Sequence, residues 1–200
     1  METPNQKQVW DNIACEWYEF KTEPAFHVKQ FLKGKKGNVL DLGSGAGRNM
    51  KKIPKGKMYL VDFSEKMIEL AKERAKKKKI NAEFFVSNLT KLPFKDNFFD
   101  SAIAVASLHC VEGEKNREKV VKELFRVIKP KAQVDVSVWN KNSKKFKKSA
   151  KERFVQWRDK GARYYYLFDA DEIYKLFEKA GFKIVSREEP ERNIVFVAEK

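Results

Sequence analysis

Apolar residues along the chain fall into two alternating rhythms. Val9, Trp10, Ile13, Ala14 and Trp17 recur at helical spacing, so the stretch from about Gln6 to Leu32 predicts helix, divided in two by Pro24. Gly34 and Gly37 mark a turn. Asn38–Leu42 then predicts a short buried strand, which runs into GSGAGR and a short helix closed by Pro54 and Gly56. The alternation repeats with Lys57–Val61 as strand, Ser64 to about Lys79 as helix, and Ala82–Val86 as the third strand. Met67, Ile68, Leu70 and Ala71 form the inner side of that helix. Phe99–Ala106 is apolar at nearly every position, as a strand buried on both faces requires. Lys115–Ile128 predicts a helix with Val120, Val121, Leu124 and Phe125 inward, stopped by Lys129-Pro130, and Gln133–Trp139 a fifth strand. Asp169–Ala180 is a further helix with Gly181 at its C-cap position. Phe182–Arg187 and Ile194–Ala198 are two closing strands around Pro190.

Strands alternating with helices predict an α/β fold: seven strands in a mostly parallel sheet, helices on both faces, and one antiparallel strand at the end from the closing hairpin. At 200 residues the chain fits one domain over 1–200, with an N-terminal helical segment over 1–33 and an insertion over 140–165. A hydrophobic content of 42% suffices for a full core and excludes a disordered basic tail. No apolar run approaches the roughly 20 residues that span a bilayer. The N-terminus METPNQKQVWDN lacks the apolar stretch of a signal peptide. Cys15 and Cys110 are too few for a disulfide scaffold, and with only His27 and His109 to join them they make no metal site. They read as reduced thiols of a cytoplasmic protein.

Charge changes this picture. Lys and Arg number 43 against 28 Asp and Glu, a net +15, which points to a polyanion partner, nucleic acid before an anionic membrane surface, or to solubility alone. The excess is concentrated in Lys141–Arg163, where ten cations face only Glu152 and Asp159, with Phe146, Phe154 and Trp157 interleaved. A second run, Lys76–Lys79, ends a helix, where cations complement the helix dipole.

The sharpest local feature is Asp41-Leu42-Gly43-Ser44-Gly45-Ala46-Gly47-Arg48, between the first strand and the first crossover. Glycines there let backbone turn tightly and approach a ligand. Neither register gives the third glycine of the dinucleotide fingerprint, and the P-loop lysine is absent, which argues against a dehydrogenase and a P-loop enzyme. The remaining D-x-G-x-G-x-G resembles the first motif of class I S-adenosylmethionine-dependent methyltransferases. That resemblance implies a Rossmann-like fold and S-adenosylmethionine as cofactor. It assigns the cofactor to Asp41, Gly43, Gly45 and Gly47, then to Asp62 and Phe63 at the second strand tip, where a carboxylate accepts from both ribose hydroxyls. Asn88 and Leu89 fall where the family holds the adenine, with the Asn88 amide oxygen as acceptor, and Ala104 lies on the fourth strand.

Four further segments are similar to the tRNA methyltransferases that esterify carboxymethyluridine at the wobble position. They are VWDNIACEWYEF with Pro24, LPFKDNFFDSAIAVASLHC, Val138-Trp139, and Arg163-Tyr164-Tyr165-Tyr166-Leu167-Phe168. The chain departs from that family at Cys110 and Tyr166, where a His is usual, at Lys21, where an Arg is usual, and at Lys131-Ala132, which replace Gly-Gly. The resemblance implies a tRNA anticodon-loop substrate and a small zinc-binding activator protein pairing with an exposed sheet edge. A carboxylate acceptor is already ionised at pH 7 and needs orientation by cations and hydroxyls. His109, Arg163 and Tyr164 are the candidate catalytic residues, and Tyr18, Lys21, Trp139 and Tyr165 the candidate acceptor contacts. Lys144, Lys145, Lys147 and Lys148 are candidates for phosphates, since the segment after the fifth strand lies near the strand C-terminal ends where substrate enters. A nitrogen or hydroxyl acceptor would instead need a base, and His109 is the available one. The bland readings make His109 a strand-end cap, and Cys110, Trp10, Trp17 and the Phe84-Phe85 and Phe98-Phe99 pairs packing; Tyr18 stays open. A small-molecule or lipid-precursor methyltransferase of the same fold, or a catalytically idle RNA-binding relative, remains as an alternative.

Overall fold

The computed structural model describes residues 4–200; residues 1–3, where the predicted 1–33 helical segment starts, lie outside the described residues. The helices are α1 (Gln6–Phe20), α2 (Phe26–Phe31), α3 (Glu65–Lys78), α4 (Glu114–Val127) and α5 (Ala170–Lys179). The strands are β1 (Asn38–Leu42), β2 (Lys57–Asp62), β3 (Ala82–Val86), β4 (Phe99–Val105), β5 (Ile128–Trp139), β6 (Glu152–Gln156), β7 (Ala162–Tyr166), β8 (Lys183–Arg187) and β9 (Asn193–Glu199). Local chemistry sets several boundaries. Asn5 and Ser64 cap α1 and α3 by accepting the Gln8 and Met67 amides, and Asp169 with Glu172 forms a capping box on α5.

Seven strands form one sheet in the order β3-β2-β1-β4-β5-β9-β8, and β6 with β7 forms a separate hairpin. Strands β1 to β5 run parallel, while β9 is antiparallel to both β5 and β8. The C-terminal strand β9 is the single antiparallel one, as expected, and it lies one place in from the sheet's edge, with β8 outermost. Burial explains that order: β9 alternates between buried and half-buried positions, whereas β8 is mostly exposed and suited to the edge. On one face Val120, Val121 and Leu124 of α4 and Ile173 and Phe177 of α5 pack on the sheet. On the other, Val28 and Leu32 and the Ala71–Ala75 side of α3 cover Val39, Met58, Leu60 and Ile103. Helix α1 packs Trp10, Ile13 and Ala14 against Met67 and Leu70 of α3 and Tyr165 of β7.

Three expectations need correction. Pro24 does separate two helices, but no helix follows the glycine-rich loop. Residues 46–49 form successive turns instead, because Gly45 and Gly47 sit at φ 51° and 72°, outside the right-handed helical region. Strand β5 begins at Ile128, directly where α4 ends, rather than at Gln133. Pro130, which has no amide to donate, is accommodated by a register shift against Phe99–Ser101, and Lys131 takes φ 65° there. The segment Lys141–Arg163, read as low-complexity and basic, contains β6 and the start of β7. The hairpin turns through Arg158 and Gly161, both at positive φ.

Candidate active site

Strand order reverses between β1 and β4, and in open parallel sheets ligands bind in the crevice at such a point, outside the strand C-terminal ends. A cavity of about 290 Å³ lies there, lined by the glycine loop, the tips of β2 and β4, the segments after β3 and β4, and helix α1. Its size is near the low end for a small-molecule site.

Asp62 organises the cavity floor. Its two carboxylate oxygens accept the Gly45 amide at 2.8 Å and the Ser64 amide at 3.0 Å, so the loop is tied to the tip of β2. Each oxygen keeps a second lone pair for a ligand hydroxyl. Gly43 and Gly45 line the cavity, and a Cβ at Gly45 would be in ordinary van der Waals contact with the Trp17 indole nitrogen at 3.7 Å and the Met67 sulfur at 3.9 Å. Two buried polar atoms on the lining, Asn49 Oδ1 and Ser107 Oγ, have no hydrogen-bond partner, as does Asp41 Oδ2 beneath the loop. Glycine cradle, bidentate acceptor and unpaired buried polar atoms together fit a polar cofactor of nucleoside type.

Of the predicted cofactor residues, Gly43, Gly45, Asp62, Phe63, Asn88 and Leu89 line the cavity. Asp41 and Gly47 lie behind it, Gly47 packed against Leu60 and Ala71. Ala104 is fully buried in the core; the next residues along β4, Val105 and Ala106, reach the cavity instead. Asn88 does not offer the acceptor expected of it. Its amide oxygen already accepts the Thr90 amide at 3.0 Å and the Thr90 hydroxyl at 2.9 Å, leaving its NH2 group for a ligand.

Burial raises Asp41 to about 7 and Asp62 to about 6, against carboxylates near 3.8 when exposed. The folded protein thus holds protons that the unfolded chain has released between about pH 4 and 7. Unliganded stability is present at the acid end of that window and is lost as pH rises through it. The buried His109 imidazole, driven down to about 3, contributes in the opposite sense. The two raised carboxylates outweigh it, so we expect the thermal midpoint of the unliganded protein to fall only modestly from pH 5 to 7.5, measured at constant ionic strength. Cofactor affinity should move the other way. If the ligand's hydroxyls require the carboxylate, the ionised fraction of Asp62 rises from about a quarter at pH 5.5 to nearly all at 7.5, roughly fourfold in affinity by calorimetry.

The predicted catalytic and acceptor residues are placed unequally. Lys21 lines the cavity mouth together with Arg48, which sequence reading did not single out. Burial and the Arg48 and Arg192 charges lower the Lys21 pKa, so three cations share this region. His109 lies outside the cavity lining and is buried. Its Nδ1 accepts the Trp139 amide at 3.0 Å, and burial drives it down to about 3, so the imidazole is neutral and acts as a clasp on the end of β5. Trp139 is stacked between Tyr165 at 4.1 Å and Phe146 at 4.9 Å, away from the lining. Tyr164 is also internal. Its hydroxyl donates to Glu152 at 3.0 Å and accepts from Arg117 at 3.3 Å, and Arg117 in turn holds the carbonyl of Val111, a cavity residue. Tyr18 lies under Arg74, 4.2 Å from ring to guanidinium, outside the lining.

Arg163 is buried in an aromatic cage of Trp157, Tyr165, Trp17 and Trp10, at 4.8 to 5.8 Å. It donates to the Tyr165 hydroxyl at 2.6 Å, its Nε has no partner, and no carboxylate pairs with it among the described residues. Trp10, Trp17 and Cys110, expected as packing alone, also line the cavity, so the cage wall and the cavity wall are shared. The Cys110 thiol is pushed up by burial and donates to the Ala106 carbonyl, which makes it a poor nucleophile. Lys144, Lys145, Lys147 and Lys148 are exposed on the turn segment before β6, anchored by buried Phe146, and do not reach the cavity. Beyond Arg48, the sequence reading missed Asn49, Ser107 and Thr90, for which no pattern signal exists.

A family profile described as a methyltransferase domain matches residues 40–134. An Arabidopsis thaliana tRNA (carboxymethyluridine(34)-5-O)-methyltransferase is 32% identical over 66% of this chain and 32% of its own length. A demethylmenaquinone methyltransferase of Lactococcus lactis is 33% identical over 74% of this chain and 66% of its own. Among solved structures, a SAM-dependent methyltransferase of Methanosarcina mazei shares the fold at a TM-score of 0.71 and 24% identity, covering 88% of this chain and 98% of that one. The profile and these relatives place this chain among class I S-adenosylmethionine-dependent methyltransferase domains, and the fold agrees. Within that class it resembles the tRNA carboxymethyluridine methyltransferases. The chain spans about a third of the length of the plant relative and of the mouse, cattle and human relatives it matches. No helix among the described residues is long and apolar enough to cross a membrane.

Proposed function

We propose that this domain methylates the carboxylate of a carboxymethyl-modified wobble uridine in tRNA. The observation that carries the reading is Arg163, a buried guanidinium beside the cavity with an unpaired Nε and no acidic partner among the described residues. A buried cation is stabilised by a bound anion, and a guanidinium matches a carboxylate in geometry. Lys21 and Arg48 at the mouth add positive charge to the same side.

No histidine lies among the lining residues, and the lining carboxylates are Asp62 and the exposed Glu112, which agrees with an acceptor that is already ionised. His109 is neutral, engaged and outside the lining, Asp62 is tied to two backbone amides, and the Cys110 thiol is held protonated. A carboxylate needs no proton removed. Asp62, Gly43, Gly45 and the Asn88 NH2 group would hold the cofactor, with Leu89, Val105 and Val111 as apolar walls. When bound, S-adenosylmethionine supplies a methyl group on a sulfonium; the chain's residues orient the acceptor for in-line attack and exclude water.

The exposed lysines 144, 145, 147 and 148 are suited to the phosphates of the anticodon loop. Binding of tRNA should weaken steeply with salt, and replacing all four lysines by Ala should flatten the log–log slope by about 3. A salt-independent association would favour the second reading, a small-molecule acceptor, for which Trp10 and Trp17 form an apolar lid over the cavity. The tRNA reading carries with it a cytoplasmic location and a small zinc-binding activator on a free sheet edge; copurification from the native host tests the latter.

A further inference from the structure

Phe20 ends α1 and is 63% exposed. It is not isolated. Trp157, from the hairpin turn, meets it edge-on at 5.9 Å, and Trp17 lies 6.2 Å from Phe20 and 5.7 Å from Trp157. Since Trp17 also lines the cofactor cavity, the three rings form one aromatic surface from the cavity wall to solvent. Beside it is a shallow concavity of about 600 Å³, lined by Glu16, Glu19, Phe20, Gln156, Trp157 and Arg158.

Charge around it is mixed, with the cations Lys21 and Arg158 and the exposed acid Glu19. Lys21 Nζ stands 4.6 Å from the Phe20 ring centroid, and Arg158 is exposed. The Glu16 carboxylate, by contrast, is covered by Arg158 at 3.1 Å, Lys160 at 2.9 Å and the Trp157 indole N–H at 2.6 Å. Glu16 thus holds Trp157 in place rather than repelling a polyanion, and Glu19 is the one acid of the concavity without an ion pair among the described residues. Gln156 donates its NH2 to the Arg158 carbonyl at 2.8 Å, which leaves its amide oxygen as an acceptor.

We infer that Phe20 and Trp157 form a stacking platform for an unpaired nucleobase of the substrate RNA, adjacent to the nucleotide whose modification enters the site. The inference rests on the tRNA reading above and deepens it. Exposed rings with cations around them are what single-stranded nucleic acid takes, because every base offers a π face and every nucleotide a phosphate. The segment that supplies Trp157 carries ten cations against two acids, which favours a polyanion over an apolar protein surface, and the exposed rings favour RNA over an acidic protein as that polyanion.

The test uses the full chain with labelled cofactor and tRNA. Phe20→Ala should raise KM for tRNA about tenfold, within the range of one base–aromatic stack, with kcat and cofactor affinity unchanged. Phe20→Trp should restore KM. A short single-stranded RNA should quench tryptophan fluorescence of the wild type, and a duplex of the same sequence should not. Unchanged KM in Phe20→Ala, with the wild type active on tRNA, overturns the platform and leaves the tRNA reading standing. No transfer to tRNA by the wild type overturns the tRNA reading and the platform with it. Sedimentation showing a dimer that Phe20→Ala dissociates would also overturn the platform, by making the patch a contact between two copies.

Discussion

Asp62→Ala should lower affinity for S-adenosylmethionine by at least about 100-fold. Two effects combine. On the proposed reading the carboxylate would supply acceptors for two ligand hydroxyls, each such charge-assisted bond contributing roughly 1.5–3 kcal/mol. It also ties the Gly45 and Ser64 amides at 2.8 and 3.0 Å, so its removal frees the glycine loop. Asp62→Asn separates the two, since one amide oxygen can still accept from backbone while the NH2 cannot. Its affinity should fall between wild type and Asp62→Ala. Calorimetric titration with the cofactor checks both variants. Affinity within threefold of wild type for Asp62→Ala would show that the cofactor does not sit against β2.

Arg163→Met should leave cofactor affinity within about threefold and lower kcat/KM for the acceptor by about 100-fold or more. Met keeps much of the side-chain volume inside the Trp157–Tyr165–Trp17–Trp10 cage and removes the charge. Leaving an anionic acceptor without its buried partner forfeits one or two charge-assisted hydrogen bonds, each roughly 1.5–3 kcal/mol. Arg163→Lys keeps the charge but not the fork, so it should recover part of the loss. Steady-state kinetics with thermal midpoints as the folding control distinguish this from collapse of the cage. Equal losses in cofactor affinity and acceptor turnover would make Arg163 structural.

The cofactor half of the site was legible in the sequence because it is local. Glycines 43 and 45 and the acid at the tip of β2 lie on strand ends whose apolar runs are unmistakable, and the fold brings them to one cavity. Ala104 was misplaced by one residue, since alternation along a fully buried strand gives no sign of which residue reaches the tip. The acceptor half was legible only through resemblance. Arg163 faces inward because β6 and β7 pair across a tight turn, with Val155 opposite Arg163. Lysines flanking that hairpin hide its alternation, and the remaining signal was Asp159-Lys160-Gly161 between two β-prone runs. The role of His109 depended on a single bond to the Trp139 amide, from a strand thirty residues on, which no pattern in sequence reveals.

The most direct measurement is incubation of the protein with methyl-labelled S-adenosylmethionine and bulk tRNA, followed by nucleoside analysis before and after mild base. The account predicts label in one modified uridine, released by base as expected of a methyl ester. Base-stable label on a ring atom or ribose, or label recovered only in small molecules, would contradict it.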